Sequence, residues 1–188
     1  MKRDAQATRA RILAAATSEF AAYGIAGARV DRIAAGAQAN KNMIYIYFGG
    51  KEQLFDAIFS AAIDQLLETV PIDVDDLPGY AGSLFDHAEQ HPELSRLARW
   101  QGLERPPGLS LDAALSGTIN KIKAIAAAQH AGTLARTLAP DQLLAMLLSI
   151  AMAWSAGVPE LVDMDVTEEM TASRRAAVVW AIERLTVP

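Results

Sequence analysis

The chain of 188 residues contains no cysteine, and aromatic residues make up only 6% of it. The absence of cysteine excludes disulfide bonds and thiol chemistry. A lack of disulfide bonds is typical of cytoplasmic proteins. No stretch alternates between apolar and polar residues at strand length, and alanine, the strongest helix former, is abundant. We therefore predict an all-α protein located in the cytoplasm.

Long apolar runs are also missing. The uncharged stretch from Leu143 to Val158 is shorter than the roughly 20 apolar residues that a membrane-spanning helix needs. The apolar segment that follows the basic start is too short for a signal peptide and soon meets Glu19. No membrane partner is therefore expected. Apolar residues nevertheless make up 52% of the chain, which argues against disorder.

Charge is unevenly distributed along the chain. It has 17 basic and 22 acidic residues and a net charge of −5. Residues 1–52 carry eight basic and four acidic residues, a net charge of +4, so the remainder carries −9. A basic segment attached to an acidic body is typical of a DNA-binding module joined to a second function.

Apolar residues recur at helical spacing in several segments. The pattern predicts helices over residues 7–23, 30–37, 41–47, 80–90, 92–103, 111–129, 140–156 and 168–185, with a further helix from residue 51. Gly24 is expected to end the first helix, while Asn40 and Thr167 are expected to cap the starts of the third and the last.

Two short helices separated by a break distinguish the segment from Ile33 to Lys51. The break falls at residues 38–40, and the second helix carries Tyr45, Tyr47 and Phe48. This arrangement is typical of a helix-turn-helix, whose second helix enters the DNA major groove.

Residues 8–58 resemble the DNA-binding domain of the TetR/AcrR family of transcriptional regulators. The resemblance rests on spaced groups of residues: Thr8–Ala16, Phe20 with Gly24, Ile33-Ala34, Tyr45–Phe48 and Lys51–Leu54. It implies a three-helix helix-turn-helix domain over residues 1–50. It also implies a larger C-terminal helical domain over residues 51–188 that binds a small-molecule effector and dimerises, with the helix from residue 51 as connector.

The sequence departs from the family pattern at three points. The turn carries Gln38-Ala39 where the family usually has glycine and a β-branched residue. A left-handed conformation at Gln38 would cost about 1 kcal/mol. Arg29 stands where Ser or Thr often begins the second helix, and Gly49-Gly50 makes a looser loop. None of these removes a core residue, so we expect only fine positioning to differ.

The candidate DNA contacts follow from side-chain chemistry, with a solvated surface as the alternative for each. Lys51 at a helix start opposes the helix dipole unless a phosphate binds there. Lysine can donate to guanine and asparagine can pair with adenine, whereas methionine offers only apolar contact. Tyrosine hydroxyls can donate to phosphates, although one tyrosine could belong to the core. The predicted DNA-binding residues are Arg29, Asn40, Lys41, Asn42, Met43, Tyr45, Tyr47 and Lys51.

Two further sets of residues are predicted in the C-terminal domain. The family's ligand pockets are often lined by large apolar side chains, and those expected here, with core packing as the alternative, are Tyr80, Phe85, Trp100, Met146 and Trp154. The 140–156 helix is apolar nearly all round and the last helix is amphipathic, which suggests a helical pair that packs against a second copy. The predicted interface residues are Leu143, Leu147, Ile150, Val178 and Ile182.

His87 and His91 have a spacing that can hold a metal, but two exposed histidines are the simpler interpretation, and we predict no metal or other cofactor. The expected function is that of a homodimeric repressor rather than an enzyme. It would bind a palindromic double-stranded operator and leave it when a small apolar or amphipathic ligand binds. Two alternatives stay open: a DNA-binding dimer without a ligand, and an all-α small-molecule-binding protein or enzyme.

Overall fold

The computed structural model describes residues 2–105, 112–156 and 166–186, and within these ranges it contains helices and no strand. The prediction of an all-α protein is confirmed. The helices are α1 Lys2–Gly27, α2 Val30–Gly36, α3 Lys41–Phe48, α4 Lys51–Thr69, α5 Leu77–Gln90, α6 Pro92–Glu104, α7 Asp112–Ala131, α8 Pro140–Ala151, α9 Ala153–Ala156 and α10 Glu168–Thr186. No helix in these ranges is both long enough and apolar enough to cross a bilayer.

The helices form two compact units. The first comprises residues 1–63 and 93–111, and the second comprises residues 64–92 and 112–188. The first unit therefore extends beyond the boundary expected at residue 50. It does so because the first half of α4 places Leu54, Phe55 and Ile58 in the same apolar cluster as Ile12 and Phe20 of α1.

The end of α1 bends at Gly24, where the first helix was expected to stop. The helix continues to Gly27, but Gly24 itself has φ 71° and ψ −177°, a conformation that favours glycine. A Cβ atom at this position would lie 2.9 Å from the ring of Trp100 and 2.5 Å from the Glu104 carboxylate, both on α6. Glycine is therefore needed here both for the bend and for the close approach of α6.

The second unit is built from α5, α7, α8 and α10 around one apolar cluster. Helix α5 begins at Leu77, earlier than expected, because Asp76 accepts a hydrogen bond from the N–H of Gly79 and caps the helix. The expected cap of the last helix is confirmed, since Thr167 accepts from the N–H of Met170 at 3.2 Å. The single helix expected over residues 140–156 is interrupted at Met152, which leaves helical geometry with φ −95° and ψ 8°.

Candidate nucleic-acid interface

The turn between α2 and α3 keeps a left-handed residue although it lacks glycine. Gln38 adopts a left-handed conformation with φ 49°, which costs about 1 kcal/mol in a non-glycine residue. Asn40 then caps α3, because its Oδ1 accepts a hydrogen bond of 2.9 Å from the N–H of Asn42. The capping hydrogen bond uses the side-chain oxygen of Asn40 and leaves the side-chain NH₂ group as the part that DNA could contact.

Helix α3 has an inward and an outward face. Ile44 is fully buried, and Met43, Tyr47 and Phe48 pack partly against the same apolar cluster. The exposed residues recur one and four positions apart, as expected for one side of a helix, and they are Lys41, Asn42, Tyr45 and Ile46. The outward face thus combines a cation, an amide, a phenol and an aliphatic side chain.

The predicted contacts on α3 divide between these two faces. Asn42 and Tyr45 lie outward, and Tyr45 is 47% exposed. Met43 and Tyr47 are half-buried and packed against the core, so only part of either side chain is accessible. Tyr47 also meets the ring of Phe48 edge-on, with centroids 6.3 Å apart. This packing gives Tyr47 a role in positioning α3 that does not depend on DNA.

Lys41 is exposed and pairs with a neighbouring carboxylate. Its Nζ lies 2.8 Å from Oδ1 of Asp31 on α2, and this hydrogen bond raises the pKa of the lysine above its usual range. Exposed ion pairs contribute little to stability. Lys41 can therefore exchange Asp31 for a phosphate or a base at low cost.

Lys51 has partners within the protein. Its Nζ donates to the carbonyl oxygens of Ala26 at 3.0 Å and Ala28 at 3.1 Å, at the end of α1 and just beyond it. These acceptors offset the unfavourable position of a lysine at the start of α4. The residue thus joins two helices of the first unit, and contact with a phosphate would be an additional role of its remaining N–H.

A buried carboxylate organises the start of α2, and sequence reasoning missed it. Glu19 is only 8% exposed and accepts from the backbone N–H of Arg29 and from Nε of Arg32, both at 2.8 Å. Burial raises the pKa of Glu19, but the hydrogen bonds from Arg32 and Arg29 outweigh burial, and the net pKa is below the ordinary value. The clue was available, because Glu19 stands beside Phe20 on the apolar side of α1, and glutamate is almost never buried unpaired.

Ile46 is the second residue that sequence reasoning missed. It is 73% exposed on the outward face of α3. The clue was the run of four large residues from Tyr45 to Phe48, because a helix turning every 3.6 residues cannot direct all four inward. An exposed aliphatic side chain beside Asn42 can contact the methyl group of thymine.

Unpaired positive charge surrounds α2 and α3. Arg9 lies over the ring of Phe48 at 5.1 Å, and Arg11 donates to the carbonyl oxygen of Ala37 at 3.1 Å. Arg29 exposes its side chain at the start of α2. In the part of the chain that the structure describes, none of these arginines has a carboxylate within ion-pair distance. Such a surface attracts a polyanion.

The residues predicted to line a ligand pocket belong to two different units, so that prediction is corrected. Tyr80, Phe85 and Trp154 lie in the apolar cluster of the second unit. Trp100 belongs to the first unit, because α6 packs on α1 there, and its indole N–H donates to the carbonyl oxygen of Ala21. Met146 is 46% exposed on α8. Trp100 does line a cavity of about 340 Å³, but this cavity lies between α1 and α6.

The predicted interface residues also require correction. Leu143, Leu147, Val178 and Ile182 are at most 1% exposed and fill the core of the second unit, and Ile150 packs partly against it. A side chain without accessible surface cannot contact a second copy. The outward faces of the same two helices instead present Met146 on α8 and Trp180 on α10, which are 46% and 59% exposed.

The rings of His87 and His91 lie side by side at the end of α5, with centroids 4.6 Å apart and planes inclined by 48°. Burial lowers the pKa of His87, and the neighbouring His91 lowers it further. Among the described residues, no third histidine or carboxylate completes a group that could hold a metal ion.

Two family models match this chain. Residues 12–58 match the model of bacterial regulatory proteins of the tetR family, and residues 76–184 match the tetracyclin repressor-like C-terminal domain. The first match contains the helix-turn-helix described above. Together the two models cover more than half of the chain.

Two related proteins are transcriptional repressors. The chain is 40% identical to the HTH-type transcriptional repressor SCO4008 of Streptomyces coelicolor over 161 residues. The aligned region covers 85% of this chain and 83% of the relative. It is 32% identical to the HTH-type transcriptional repressor NicS of Pseudomonas putida over 108 residues, and this aligned region covers 54% of this chain and 51% of NicS.

A solved structure extends the agreement to the fold. The candidate transcriptional regulator SCO4942 of Streptomyces coelicolor superposes with a TM-score of 0.84 at 41% identity, over 95% of this chain and 98% of the other. The matched models, the related repressors and the exposed recognition helix lead to one conclusion: the chain belongs to the TetR family of DNA-binding transcriptional regulators.

Proposed function

We propose that this protein is a homodimeric repressor that binds a palindromic operator and leaves it when a small molecule binds the second unit. The observation that carries the proposal is the outward face of α3, where Asn42, Tyr45 and Ile46 are exposed beside Lys41. Ile44 anchors the opposite side of the helix in the core. A rigidly held helix with exposed polar and apolar side chains is suited to the major groove.

Arg29 and Lys51 would position α3 by contacting the DNA backbone on either side of it. Arg29 precedes α2, and its side chain is exposed without an ion pair among the described residues. Phosphate contacts of this kind fix the orientation of a protein but carry no sequence information. Asn42, Lys41 and Ile46 would then read bases, and the NH₂ group of Asn40 would be a further donor.

The outward faces of α8 and α10 would form the dimer interface. The two helices pack against each other, and each exposes one large apolar residue, Met146 and Trp180 respectively. Exposed alanines accompany them, namely Ala145 on α8 and Ala176 and Ala177 on α10. Small residues allow close approach of two backbones, and a two-fold axis would bring the same patch of each copy together.

Helix α6 supports a physical route from ligand to DNA. Its last turn holds α1, because Glu104 accepts a 2.7 Å hydrogen bond from the N–H of Ala26 and Trp100 donates to Ala21. The chain leaves the second unit before α6 and returns to it afterwards. A ligand that favours one arrangement of the second unit can therefore bias α6, and a hundredfold preference would weaken DNA binding by about the same factor.

A footprint on the DNA upstream of the protein's own gene tests the proposal. We expect a protected palindrome whose half-sites are one helical turn apart or a multiple of it, and binding that weakens steeply with salt. Replacing Glu104 by glutamine should keep the footprint and shift the ligand concentration needed for release, whereas Glu68→Gln, an exposed change on α4, should not. A footprint that no small molecule disturbs would support the ligand-free alternative.

A further inference from the structure

Lys121 and Tyr80 form a polar pair at the apolar cluster of the second unit. Tyr80 lies on α5 and Lys121 on α7, and the Nζ of the lysine is 5.7 Å from the centroid of the tyrosine ring. Neither side chain has a role in the proposed dimer or in DNA contact.

The hydroxyl group of Tyr80 is buried without a partner. The residue is 3% exposed, and its OH makes no hydrogen bond within the described ranges. Buried polar side-chain atoms are nearly always hydrogen-bonded, so an exception requires an explanation. Burial also raises the pKa of Tyr80 to about 12, so this hydroxyl remains a donor at neutral pH.

Lys121 is a half-buried cation without a counter-charge. No carboxylate lies within ion-pair distance of its Nζ in the described part of the chain. Burial lowers its pKa, which is the response expected when an ammonium group is partly removed from water. An anion beside the ammonium group would compensate this loss of hydration.

The neighbouring surface is apolar. Ile125 lies one turn after Lys121 on α7 and is fully buried in the same cluster as Tyr80. Gly117 lies one turn before it, and a Cβ there would approach the side chain of Leu67 to 3.0 Å. The face of α7 that carries Lys121 is therefore packed against hydrocarbon on both sides.

We propose that Tyr80 and Lys121 bind the carboxylate of an amphipathic ligand whose hydrocarbon part lies among the surrounding apolar side chains. A carboxylate accepts hydrogen bonds from both the phenol and the ammonium group, and its charge compensates that of the lysine. An amine would be repelled by Lys121, and an alcohol would leave its charge unpaired. This inference rests on the proposed function, because it names the chemical class of the ligand that releases the repressor.

Calorimetry on the full-length protein without DNA tests the site directly. The probes are the linear carboxylates from butanoate to dodecanoate, together with the primary alcohol and primary amine of each chain length. We expect at least one carboxylate to bind about tenfold or more tightly than its alcohol and amine, since hydrogen bonds to charged groups contribute a factor of this order. If no carboxylate binds at about 1 mM, or if an amine or alcohol binds better, the inference is wrong.

Two variants assign the preference to the pair. Lys121→Met removes the ammonium group and retains a side chain of similar length. It should reduce carboxylate binding about tenfold or more and leave binding of the alcohol unchanged. Tyr80→Phe removes only the hydroxyl group and should reduce carboxylate binding severalfold. Lys123→Met, an exposed change on the same helix, is the matched control and should have no effect. Equal binding to Lys121→Met and the unaltered protein would overturn the assignment, and thermal melting checks that each variant is folded.

A gel-shift assay with the same probes separates this inference from the proposed function. Carboxylate binding that depends on Lys121 but does not release DNA would leave the site intact and contradict the proposed switch. Release by an amine or an alcohol, but by no carboxylate, would support the switch and overturn the site. Release by a carboxylate that is lost in Lys121→Met supports both.

Discussion

The Oε1 atom of Glu19 lies 2.6 Å from Nη2 of Arg32, and it also accepts from the backbone N–H of Arg29. Through this one atom, the middle of α1 fixes the first turn of α2. Arg32 in turn lies over the ring of Tyr23 at 4.2 Å and donates to the carbonyl oxygen of Gly27. The placement of the helix-turn-helix therefore depends on an ion pair that lies away from the outward face of α3.

We predict that Glu19 makes the first unit sensitive to acid. Its folded pKa is below the ordinary value of 4.5, so its contribution is complete above that value and is lost as pH falls through the folded pKa. Glu19→Gln should lower the free energy of unfolding by about 1–3 kcal/mol at neutral pH. It should also flatten the dependence of stability on pH below that ordinary value.

Urea unfolding followed by circular dichroism between pH 3 and pH 7 checks this prediction. Glu68→Gln is the matched control, because Glu68 is exposed on α4 and its carboxylate forms no ion pair among the described residues. A Glu19→Gln variant with the same pH profile as the unaltered protein would show that the carboxylate is not coupled to folding.

Much of the fold was predictable because the relevant signals are local. Apolar spacing located the described helices to within a few residues, and the caps at Asn40 and Thr167 depend on atoms two or three residues away. The sequence marked Gln38 as a costly residue for a left-handed turn, and the structure shows that the turn accepts this cost. The resemblance to the family then supplied the arrangement that periodicity alone does not specify.

The errors concern which partner a helix packs against. Because α8 is apolar nearly all round, its sequence does not indicate which side faces the core, so the predicted interface fell on Leu143 and Leu147, which are buried, and not on the exposed side that carries Met146. Trp100 was assigned to the wrong unit because the packing of α6 on α1 joins residues 79 apart in the chain. The carbonyl partners of Lys51 lie 25 and 23 residues before it, at positions that no short motif marks.

Lys51 should have two separable roles. Lys51→Met removes the hydrogen bonds to Ala26 and Ala28, so we expect the free energy of unfolding to fall by about 1–3 kcal/mol. If the remaining N–H also contacts a phosphate, the slope of log affinity against log salt should decrease in magnitude by about 0.9. Fluorescence anisotropy at several salt concentrations measures this slope, with Lys123→Met as control. A stability loss with an unchanged slope would restrict Lys51 to its structural role.

Ile46 should affect DNA preference and not stability. Ile46→Ala removes an exposed side chain, so unfolding should change by less than about 0.5 kcal/mol, whereas Ile44→Ala at the buried position should cost about 2–5 kcal/mol. If Ile46 contacts a thymine methyl, Ile46→Ala should weaken operator binding about tenfold. Uracil is then substituted for thymine at one operator position at a time. At one of these positions, the substitution should weaken binding of the unaltered protein by a similar factor and should weaken binding of Ile46→Ala little further. Additive losses at every position would exclude the contact.

Trp180 should be required for the dimer. The ring is 59% exposed in the single chain, and an aspartate in its place would put a charge into an apolar contact between two copies. We therefore expect Trp180→Asp and Met146→Asp to sediment as monomers at micromolar concentration and to bind the palindrome far more weakly, because one recognition helix would remain per particle. Leu103→Asp makes the same change at an exposed apolar residue of α6 and should remain dimeric. If Trp180→Asp and Met146→Asp still sediment as dimers, the interface lies on another face of the protein.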